Sequence, residues 1–323
     1  MEFYLAPLEG LTGYIFRNNQ AKYFNPLDKY FTPFIAANQN GKLSSRELND
    51  ILPEHNKGLN VVPQILTNKA ADFLLTTERL QSYGYEEVNL NLGCPSGTVV
   101  SKNKGSGFLA QKEALNAFLE EVFSKTTAKI SIKTRIGRDV PEEFADLIQI
   151  FNQYPLEELI IHPRVQKDYY RNKPNMAVFK EALRTSKHSI CYNGDIFTLE
   201  DYKKFMDECP SVKKVMLGRG IIANPGLVYE IIHQQNLDKA TFKAYHDQMY
   251  REYQEILCGD RNVLFKMKEQ WFYMSHMFEE VDKYAKKIRK SQKLCDYEAA
   301  VNLLFEEQDL LVGAGLFSVP KHR

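Results

Sequence analysis

The feature that most constrains this chain is a series of eight short apolar runs, rich in β-branched and aromatic residues. Segments between them show helical spacing, so strand and helix alternate about every 30 residues. Continuously apolar runs indicate strands buried on both faces of a parallel sheet. The pattern predicts an α/β (β/α)8 TIM barrel, with an open doubly wound sheet as the weaker alternative. The runs lie at 3–6, 30–36, 61–66, 88–92, 130–134, 158–162, 190–193 and 214–218.

The best helical segments lie at 69–84, 111–125, 141–153 and 198–208, where Thr198 and Asp201 are spaced as a capping box. The pattern changes after residue 236: the sequence at 240–257 and 266–293 is charged and helical, with no convincing strand. We therefore expect a barrel over 1–236, followed by a smaller all-helical domain over 237–317. A tail at 318–323 is expected to be disordered.

The composition indicates a globular protein, with 44% hydrophobic and 26% charged residues. The net charge of +1 excludes only a uniformly basic nucleic-acid binder. Five widely spaced cysteines form no C-x-x-C pair, so no disulfide framework, zinc knuckle or other metal site is indicated. The first ten residues lack the basic and apolar regions typical of a signal peptide, and no run of about 18 apolar residues occurs in the sequence. We expect a cytoplasmic protein that does not contact a membrane.

Polar residues follow almost every predicted strand, at the end of a barrel where active sites are built. Removing so many polar side chains from water is unfavourable unless they are paired, so we expect them to share a ligand. Those at the ends of the runs are Glu9, Gln64, Asn91, Cys94, Lys133, Arg135, His162, Arg164, Asn193, Asp195 and Arg219.

The residue types indicate what the ligand contains. The sequences at 193–195 and 218–220 follow the last two strands, where barrels commonly bind phosphate, which would pair with Arg219. Gln64 offers a donor and an acceptor and suits the uracil-like edge of a flavin. Lys133 and His162 are expected to act either as a proton-transfer pair or as hydrogen-bond donors to a cofactor ring.

Cys94 lies in a long connection at 91–109, close in sequence to Lys102 and Lys104. Loops of this length in compact domains are more often functional than not. We expect an accessible thiol that can give or take a proton. The other four cysteines, among them Cys191 within a strand, are expected to pack as small apolar side chains.

Taken together, these motifs resemble the tRNA-dihydrouridine synthases, and the bacterial branch most closely. The resemblance implies bound FMN, reduction of that FMN by NADPH, and reduction of the C5–C6 bond of a uridine in tRNA. The motifs are APLEGLTG at 6–13, NLGCPSG at 91–97, KTRIG at 133–137, HPR at 162–164, NGDI at 193–196, LGRG at 217–220 and EQW at 269–271.

The resemblance also implies roles for individual residues. Cys94 becomes the general acid, and Asn91 orders the pyrimidine or the flavin edge. Pro33 and the segment 105–107 depart from the family pattern, and we expect neither to touch the chemistry. The implied FMN contacts are Pro7, Leu8 and Glu9 near the ring, Gln64 and Lys133 at its polar edge, His162, and Asn193, Gly194, Asp195, Gly218 and Arg219 towards the phosphate.

Basic clusters show how a neutral chain could hold RNA. Segment 283–293 has six positive charges and no acidic residue. A second cluster at 164–173 surrounds Tyr169 and Tyr170, which offer rings for stacking. We expect a monomer that binds tRNA without an obligatory protein partner. The expected RNA contacts are Arg164, Tyr169, Lys286, Lys287, Arg289 and Lys290.

Three alternatives stay open at this point. The chain could reduce a free pyrimidine or another small molecule with the same flavin barrel, or it could act on a uridine of rRNA. An RNA-binding protein on a decayed barrel is disfavoured, because Cys94, Lys133, His162 and Arg219 are all present.

Overall fold

The computed structural model describes residues 1–316. Ten strands in this range form one sheet, and the strand pairs are parallel. The strands are β1 (Glu2–Leu5), β2 (Lys29–Phe31), β3 (Ile35–Ala36), β4 (Val61–Val62), β5 (Gln64–Leu66), β6 (Glu87–Leu92), β7 (Lys129–Arg135), β8 (Leu159–His162), β9 (Ile190–Tyr192) and β10 (Lys214–Leu217).

Prolines explain why eight predicted runs give ten strands. Pro33 lies between β2 and β3, and Pro63 lies between β4 and β5; proline has no N–H to donate to a neighbouring strand. β2 pairs with β4 and β3 pairs with β5, so the two interrupted runs lie side by side along their whole length. The remaining strands follow in the order β5-β6-β7-β8-β9-β10-β1-β2. The sheet therefore closes into a ring of eight runs, and the predicted TIM barrel is confirmed.

Apolar side chains from six of the runs meet inside this ring. Cys191 is one of them and is fully buried, as expected, and burial raises the pKa of its thiol. Cys209 is also buried, whereas Cys258 and Cys295 are exposed, so the expectation that all four pack was wrong for these two. The cluster consists of Tyr4, Ala6, Phe31, Val62, Ile160, Cys191 and Met216.

Helices follow most strands, and the four predicted helical segments are all present. At the start of α8 the Thr198 side chain accepts a hydrogen bond from the Asp201 N–H, which completes the expected capping box. The α-helices of the described range are α1 (Tyr14–Phe24), α2 (Ser45–Ile51), α3 (Ala70–Ser82), α4 (Gly97–Val100), α5 (Lys112–Lys125), α6 (Phe144–Phe151), α7 (Met176–Thr185), α8 (Leu199–Glu208), α9 (Arg219–Ala223), α10 (Leu227–His233), α11 (Lys239–Ile256), α12 (Asp260–Met274), α13 (Asp282–Lys290) and α14 (Leu294–Glu307).

The contacts within the chain separate two compact units. The first comprises Met1–Leu8, Asp28–Asp195 and Ser211–Met216, and it holds almost the whole sheet. The second comprises Glu9–Leu27, Ile196–Pro210 and the chain from Leu217 onward, so it includes α1 and α8 to α10 together with α11 to α14. The division follows contacts and not the order of the chain, and the predicted boundary after residue 236 stays a prediction.

The C-terminal helices match the predicted helical domain with one difference. Segment 266–293 is not a single helix, because α12 ends at Met274 and α13 begins at Asp282. Between them Phe278 forms an isolated bridge with Leu310. The predicted tail at 318–323 lies outside the described residues. Within residues 1–316, no helix combines the length and the apolar character needed to cross a membrane.

Candidate active site

In the first unit, the strand ends bring several of the predicted polar residues together. The parallel register places Asn91 of β6 beside Lys133 of β7, and Arg135 beside His162 of β8. Asn193 follows β9, and its side chain donates to the backbone oxygen of Met216 at 2.8 Å. Gly194 comes next: a Cβ there would lie 2.0 Å from the Tyr192 hydroxyl oxygen, so this position has no room for a side chain.

Three buried amides on β5 and β6 form a chain of hydrogen bonds. The chain ends at the connection between β6 and α5, which we call the Cys94 loop. Gln64 Nε2 donates to Asn89 Oδ1 at 2.7 Å, and Gln64 Oε1 accepts from Asn91 Nδ2 at 2.7 Å. Asn91 Oδ1 accepts from the backbone N–H groups of Gly93 at 3.1 Å and Cys94 at 2.9 Å. Asn91 therefore holds the start of the Cys94 loop directly.

The far end of this loop is held by residues that were expected to stay away from the chemistry. The Cys94 carbonyl accepts from Ser106 N at 3.1 Å and from Ser106 Oγ at 2.8 Å. Gly105 has φ +56°, and a Cβ there would lie 2.8 Å from the Cys94 carbonyl oxygen. Segment 105–107 therefore supports the backbone of Cys94, and the expectation that it does not touch the chemistry stays a prediction.

Arg135 was predicted only as one of many polar residues at strand ends, yet it holds the site together. Its side chain is buried and donates to three backbone oxygens: Gly93 at 3.0 Å, Val165 at 2.9 Å and Tyr169 at 2.8 Å. Its guanidinium also lies 5.5 Å from the ring centre of Tyr170. It therefore links the loop after β6 to the loop after β8. The KTRIG motif contained this residue, but its partners lie too far away in sequence to be recognised.

Lys133 is half-buried between these groups. Burial, followed by the positive charge of Arg135, lowers the pKa of Lys133 to about 8. A thiolate at Cys94 acts in the opposite direction and raises the pKa of Lys133. Cys94 is itself half-buried. The site thus places a thiol near an ammonium group whose charge changes close to neutral pH.

Arg164 does not lie where a phosphate contact is expected. Its side chain is 1% exposed and forms a two-point ion pair with Asp195, with Nη1 to Oδ1 at 2.8 Å. Its Nε donates to the Asn172 carbonyl at 2.6 Å. Arg164 was predicted as an RNA contact, and its burial and its pairing with Asp195 argue against that role. The charge of Asp195, predicted to face the cofactor phosphate, is balanced by this arginine.

His162 is oriented by the same ion pair. Its Nε2 lies 2.9 Å from Arg164 Nη1, and because a guanidinium only donates, Nε2 accepts and the ring proton lies on Nδ1. Tyr170 stacks on the imidazole with ring centres 5.8 Å apart. Tyr169 is 42% exposed and remains available for stacking on a base.

The second unit contains the other predicted ligand-binding residues. Glu9 is exposed, and Arg219 lies with its guanidinium 5.1 Å from the Phe197 ring centre. Gly218 directly precedes α9 and is half-buried. Pro7 and Leu8, which belong to the first unit, are also half-buried.

The EQW motif has a structural role in the second unit. Gln270 Nε2 donates to the Leu11 carbonyl at 3.2 Å, and the neighbouring Lys266 Nζ donates to the Gly10 carbonyl at 2.8 Å. Trp271 Nε1 donates to the Tyr297 hydroxyl at 2.8 Å. The motif therefore joins α12 to the loop that contains Glu9 and to α14.

Helix α13 presents the predicted basic surface. Tyr284 and Ile288 are buried beneath it. Across residues 1–316, no group of three or more His, Cys, Asp or Glu side chains could hold a metal ion. The exposed cations of α13 are Lys283, Lys286, Lys287, Arg289 and Lys290.

Comparison with known proteins gives this site a family. The tRNA-dihydrouridine(16) synthase of Pseudomonas putida is 26% identical over 288 residues, which covers 85% of this chain and 88% of that protein. A probable tRNA-dihydrouridine synthase of Staphylococcus aureus is 28% identical over 244 residues and covers 69% of each chain. A solved structure of morphinone reductase in complex with tetrahydroNAD has a similar fold, with a TM-score of 0.50 and 14% identity over 75% of this chain and 90% of that one. A sequence model of the family described as dihydrouridine synthase (Dus) matches residues 4–314, and this chain belongs to that family.

Proposed function

We propose that this protein reduces the C5–C6 bond of uridine in tRNA to give 5,6-dihydrouridine, with FMN as its bound cofactor and NADPH as the source of electrons. The observation that carries the proposal is the Cys94 loop, fixed at both ends and adjacent to Lys133. Relatives named tRNA-dihydrouridine synthases, which cover most of this chain, support tRNA as the substrate.

The residues present fit a flavin. The pyrimidine-like edge of the ring offers carbonyl oxygens and ring nitrogens, and the site presents a half-buried ammonium at Lys133. We assign the His162 imidazole to the same edge. Gln64 is buried and uses one N–H and one lone pair in the amide chain, which leaves one of each for the flavin edge. Gly194 makes room for the Tyr192 hydroxyl, and we assign its backbone to the phosphate side together with Asn193. Pro7 and Leu8 are assigned to the ring, and Asn193, Gly218 and Arg219 to the phosphate side.

When bound, the flavin supplies a hydride to C6 of uracil. The Cys94 thiol donates a proton to C5 and becomes a thiolate, so the C=C double bond is replaced by two new C–H bonds. Lys133 and Arg135 both interact favourably with a negative charge on Cys94. The hydrogen bonds to the Cys94 N–H and carbonyl fix the backbone that carries the thiol, which orients the proton donor before substrate arrives.

We assign tRNA contacts to Tyr169 and to the exposed cations of α13. Uridine must leave its stack to reach the barrel, and an exposed tyrosine ring near the site can stack on a displaced base. Lys286, Lys287, Arg289 and Lys290 can neutralise backbone phosphates. Arg164 does not belong to this set, because its guanidinium is buried and paired with Asp195.

The test is the variant Cys94→Ala. We expect the purified variant to keep a flavin absorbance spectrum and to be bleached by NADPH, but to form dihydrouridine in tRNA about 10²- to 10⁴-fold more slowly. Cys258→Ala, at an exposed cysteine, is the matched control and should behave as wild type. Undiminished dihydrouridine formation by Cys94→Ala would assign the proton to another group. Wild-type protein that neither carries nor takes up FMN would refute the flavin reaction itself.

The same preparation separates the proposed function from reduction of a small molecule. Turnover of tRNA without turnover of free uridine or uracil supports the RNA enzyme, and rRNA serves as the competing polynucleotide. Turnover of free pyrimidine alone would favour a small-molecule reductase.

A further inference from the structure

The interior of the barrel is polar along one side. On β6, Glu87, Asn89 and Asn91 occupy alternate positions of an otherwise apolar strand, and their partners on β7 are Lys129, Ser131 and Lys133. Side chains from six other runs around the ring, among them Phe31 and Ile160, form the apolar cluster of the interior. Asn89, Asn91 and Ser131 of this set are buried, which is unfavourable in a protein core unless such groups satisfy one another.

The members do satisfy one another, in a sequence that runs from the Cys94 loop towards the N-terminal ends of the strands. Asn91 donates to Gln64, and Gln64 donates to Asn89. Asn89 Nδ2 then donates to Ser131 Oγ at 2.9 Å. Asn89 and Ser131 are both fully buried. We call these four residues the amide relay.

The Cys94 end fixes the direction of the relay. A backbone N–H only donates, so the Asn91 oxygen must face Gly93 and Cys94, and its NH₂ group must face Gln64. Gln64 must then present its oxygen to Asn91 and its NH₂ group to Asn89. The same reasoning gives the orientation of Asn89, which can only offer an N–H to Ser131.

The other end of the relay meets a buried group of charges. Ser131 lies near the Glu87 carboxylate and lowers its pKa, whereas burial raises that pKa, and Glu87 Oε1 has no hydrogen-bond partner within residues 1–316. Lys29 Nζ lies 2.8 Å from a carboxylate oxygen of Glu87 and 2.8 Å from one of Glu158. Glu158 is fully buried and is also 3.4 Å from Lys214.

We propose that Asn89 is a positioning residue, which fixes the Cys94 proton donor through Gln64 and Asn91 without touching substrate or cofactor. The inference deepens the proposed function and rests on it for the role of Cys94. Its physical basis is the orientation of the Asn91 amide. The Asn91 oxygen faces the two loop N–H groups as long as the Asn91 NH₂ group has an acceptor, which is the Gln64 oxygen. Removing Asn89 leaves Gln64 free to rotate and takes that acceptor away.

The experiment compares Asn89→Leu, Asn89→Asp and Ser131→Ala in the full chain. Asn89→Leu fills the space but breaks both links, whereas Asn89→Asp keeps an oxygen for Gln64 and serves as the conservative rescue. Ser131→Ala removes only the far acceptor, and it keeps the test informative if the leucine variant does not fold. Thr77→Val is the matched control, since the buried Thr77 hydroxyl has no hydrogen-bond partner within residues 1–316.

Two readouts are required. The first is the alkylation rate of Cys94 by iodoacetamide, resolved by peptide mass spectrometry from that of Cys258 and Cys295, in protein without tRNA. The second is the split between kcat and KM for dihydrouridine formation. For Asn89→Leu we expect alkylation at least about threefold faster and kcat about tenfold lower with KM nearly unchanged. Asn89→Asp should return both towards wild type, and Ser131→Ala should shift both in the same direction as Asn89→Leu.

Wild-type alkylation and kcat in both Asn89→Leu and Ser131→Ala would overturn the inference. Failure of the proposed function gives a different result: wild-type protein would then form no dihydrouridine, while the alkylation series would still report whether Asn89 holds the Cys94 loop. Equal effects from Thr77→Val would also overturn the inference, because they would show a general decrease in stability.

Discussion

Lys133 shows how burial in the barrel changes the chemistry of one side chain. Burial and Arg135 lower its pKa to about 8, whereas in the unfolded chain a lysine has a pKa of about 10.4. Below about pH 8 the folded protein therefore holds an ammonium ion in a place that disfavours it. Such a charge is useful only when an anion shares the site, which agrees with the roles proposed for a flavin and a thiolate.

The first prediction follows from this pKa. Between about pH 8 and 10.4 the unfolded chain binds one more proton than the folded chain at Lys133, so the contribution of Lys133 to stability rises with pH across this window. We expect Lys133→Met to stabilise flavin-free protein at pH 7 by about 2 kcal/mol, with the advantage fading as the pH rises through that window. Thermal unfolding of both proteins at pH 7 and pH 10 measures this difference in stability.

Lys125→Met, at an exposed position of α5, is the control and should show no such pH dependence. A difference between Lys133→Met and wild type that stays constant from pH 7 to pH 10 would mean that Lys133 titrates normally in the folded protein.

The residue scale also shows what sequence can and cannot predict. Cys94, Lys133 and His162 were predicted because strand ends follow from the apolar runs. Arg135 and Arg164 looked alike in sequence, since Arg135 follows Lys133 by two residues and Arg164 follows His162 by two, and both proved to be buried. Arg135 binds Gly93 and Tyr169, and Arg164 binds Asp195. Each of these partners is 31 or more residues away in sequence, and no local pattern encodes such pairs.

At the scale of the element, α13 combines a buried apolar side with an exposed basic one. Its anchor is the pair Tyr284 and Ile288, one helical turn apart, and the cations lie on the exposed side. Lys283 forms an ion pair with Glu307 at 3.2 Å and is therefore less suited to a phosphate than the others. A charge run often marks only a solvated helix, so the RNA contact needs a direct test.

The second prediction concerns this helix. Replacing Lys286, Lys287 and Lys290 by Ala should weaken tRNA binding and reduce the slope of log K against log salt by about 0.7 to 0.9 for each phosphate that is no longer neutralised. Fluorescence anisotropy with labelled tRNA over a salt series gives the slope. The control replaces three other exposed lysines, Lys57, Lys203 and Lys204, and should leave the slope unchanged. An unchanged slope in the α13 variant would place the RNA elsewhere.

Most elements were predictable because each leaves a local signal. Strands β1 and β6 to β10 are short apolar runs, and α8 begins at a capping box. The breaks at Pro33 and Pro63 could have been predicted from the missing proline N–H. The gap between α12 and α13 could not, because the sequence there keeps its helical composition while the backbone is held by contacts such as the bridge between Phe278 and Leu310.

At the scale of the whole molecule, the division into two units does not follow the order of the chain. Helix α1 lies between the first two strands in sequence, yet it packs on α11 within the second unit. Phe16, Tyr23 and Phe24 of α1 surround Tyr245 with ring centres 6.3, 6.2 and 5.5 Å from it. Composition and periodicity carry no information about such a pairing across more than 200 residues.

The last prediction uses that packing. A chain that ends at residue 236 would keep every barrel strand but expose Phe16 and Phe24, which are fully or almost fully buried in the intact protein. Each buried aromatic side chain contributes about 1.5–3 kcal/mol, a large share of the roughly 5–15 kcal/mol by which domains are stable. We expect the truncated chain to lose cooperative unfolding and to aggregate. Tyr245→Ala in the full chain removes the same packing and should destabilise it by about 3–5 kcal/mol. A truncated chain that melts cooperatively at the wild-type Tm would show that the barrel is independent of α11, and that the boundary after residue 236 is the physical one.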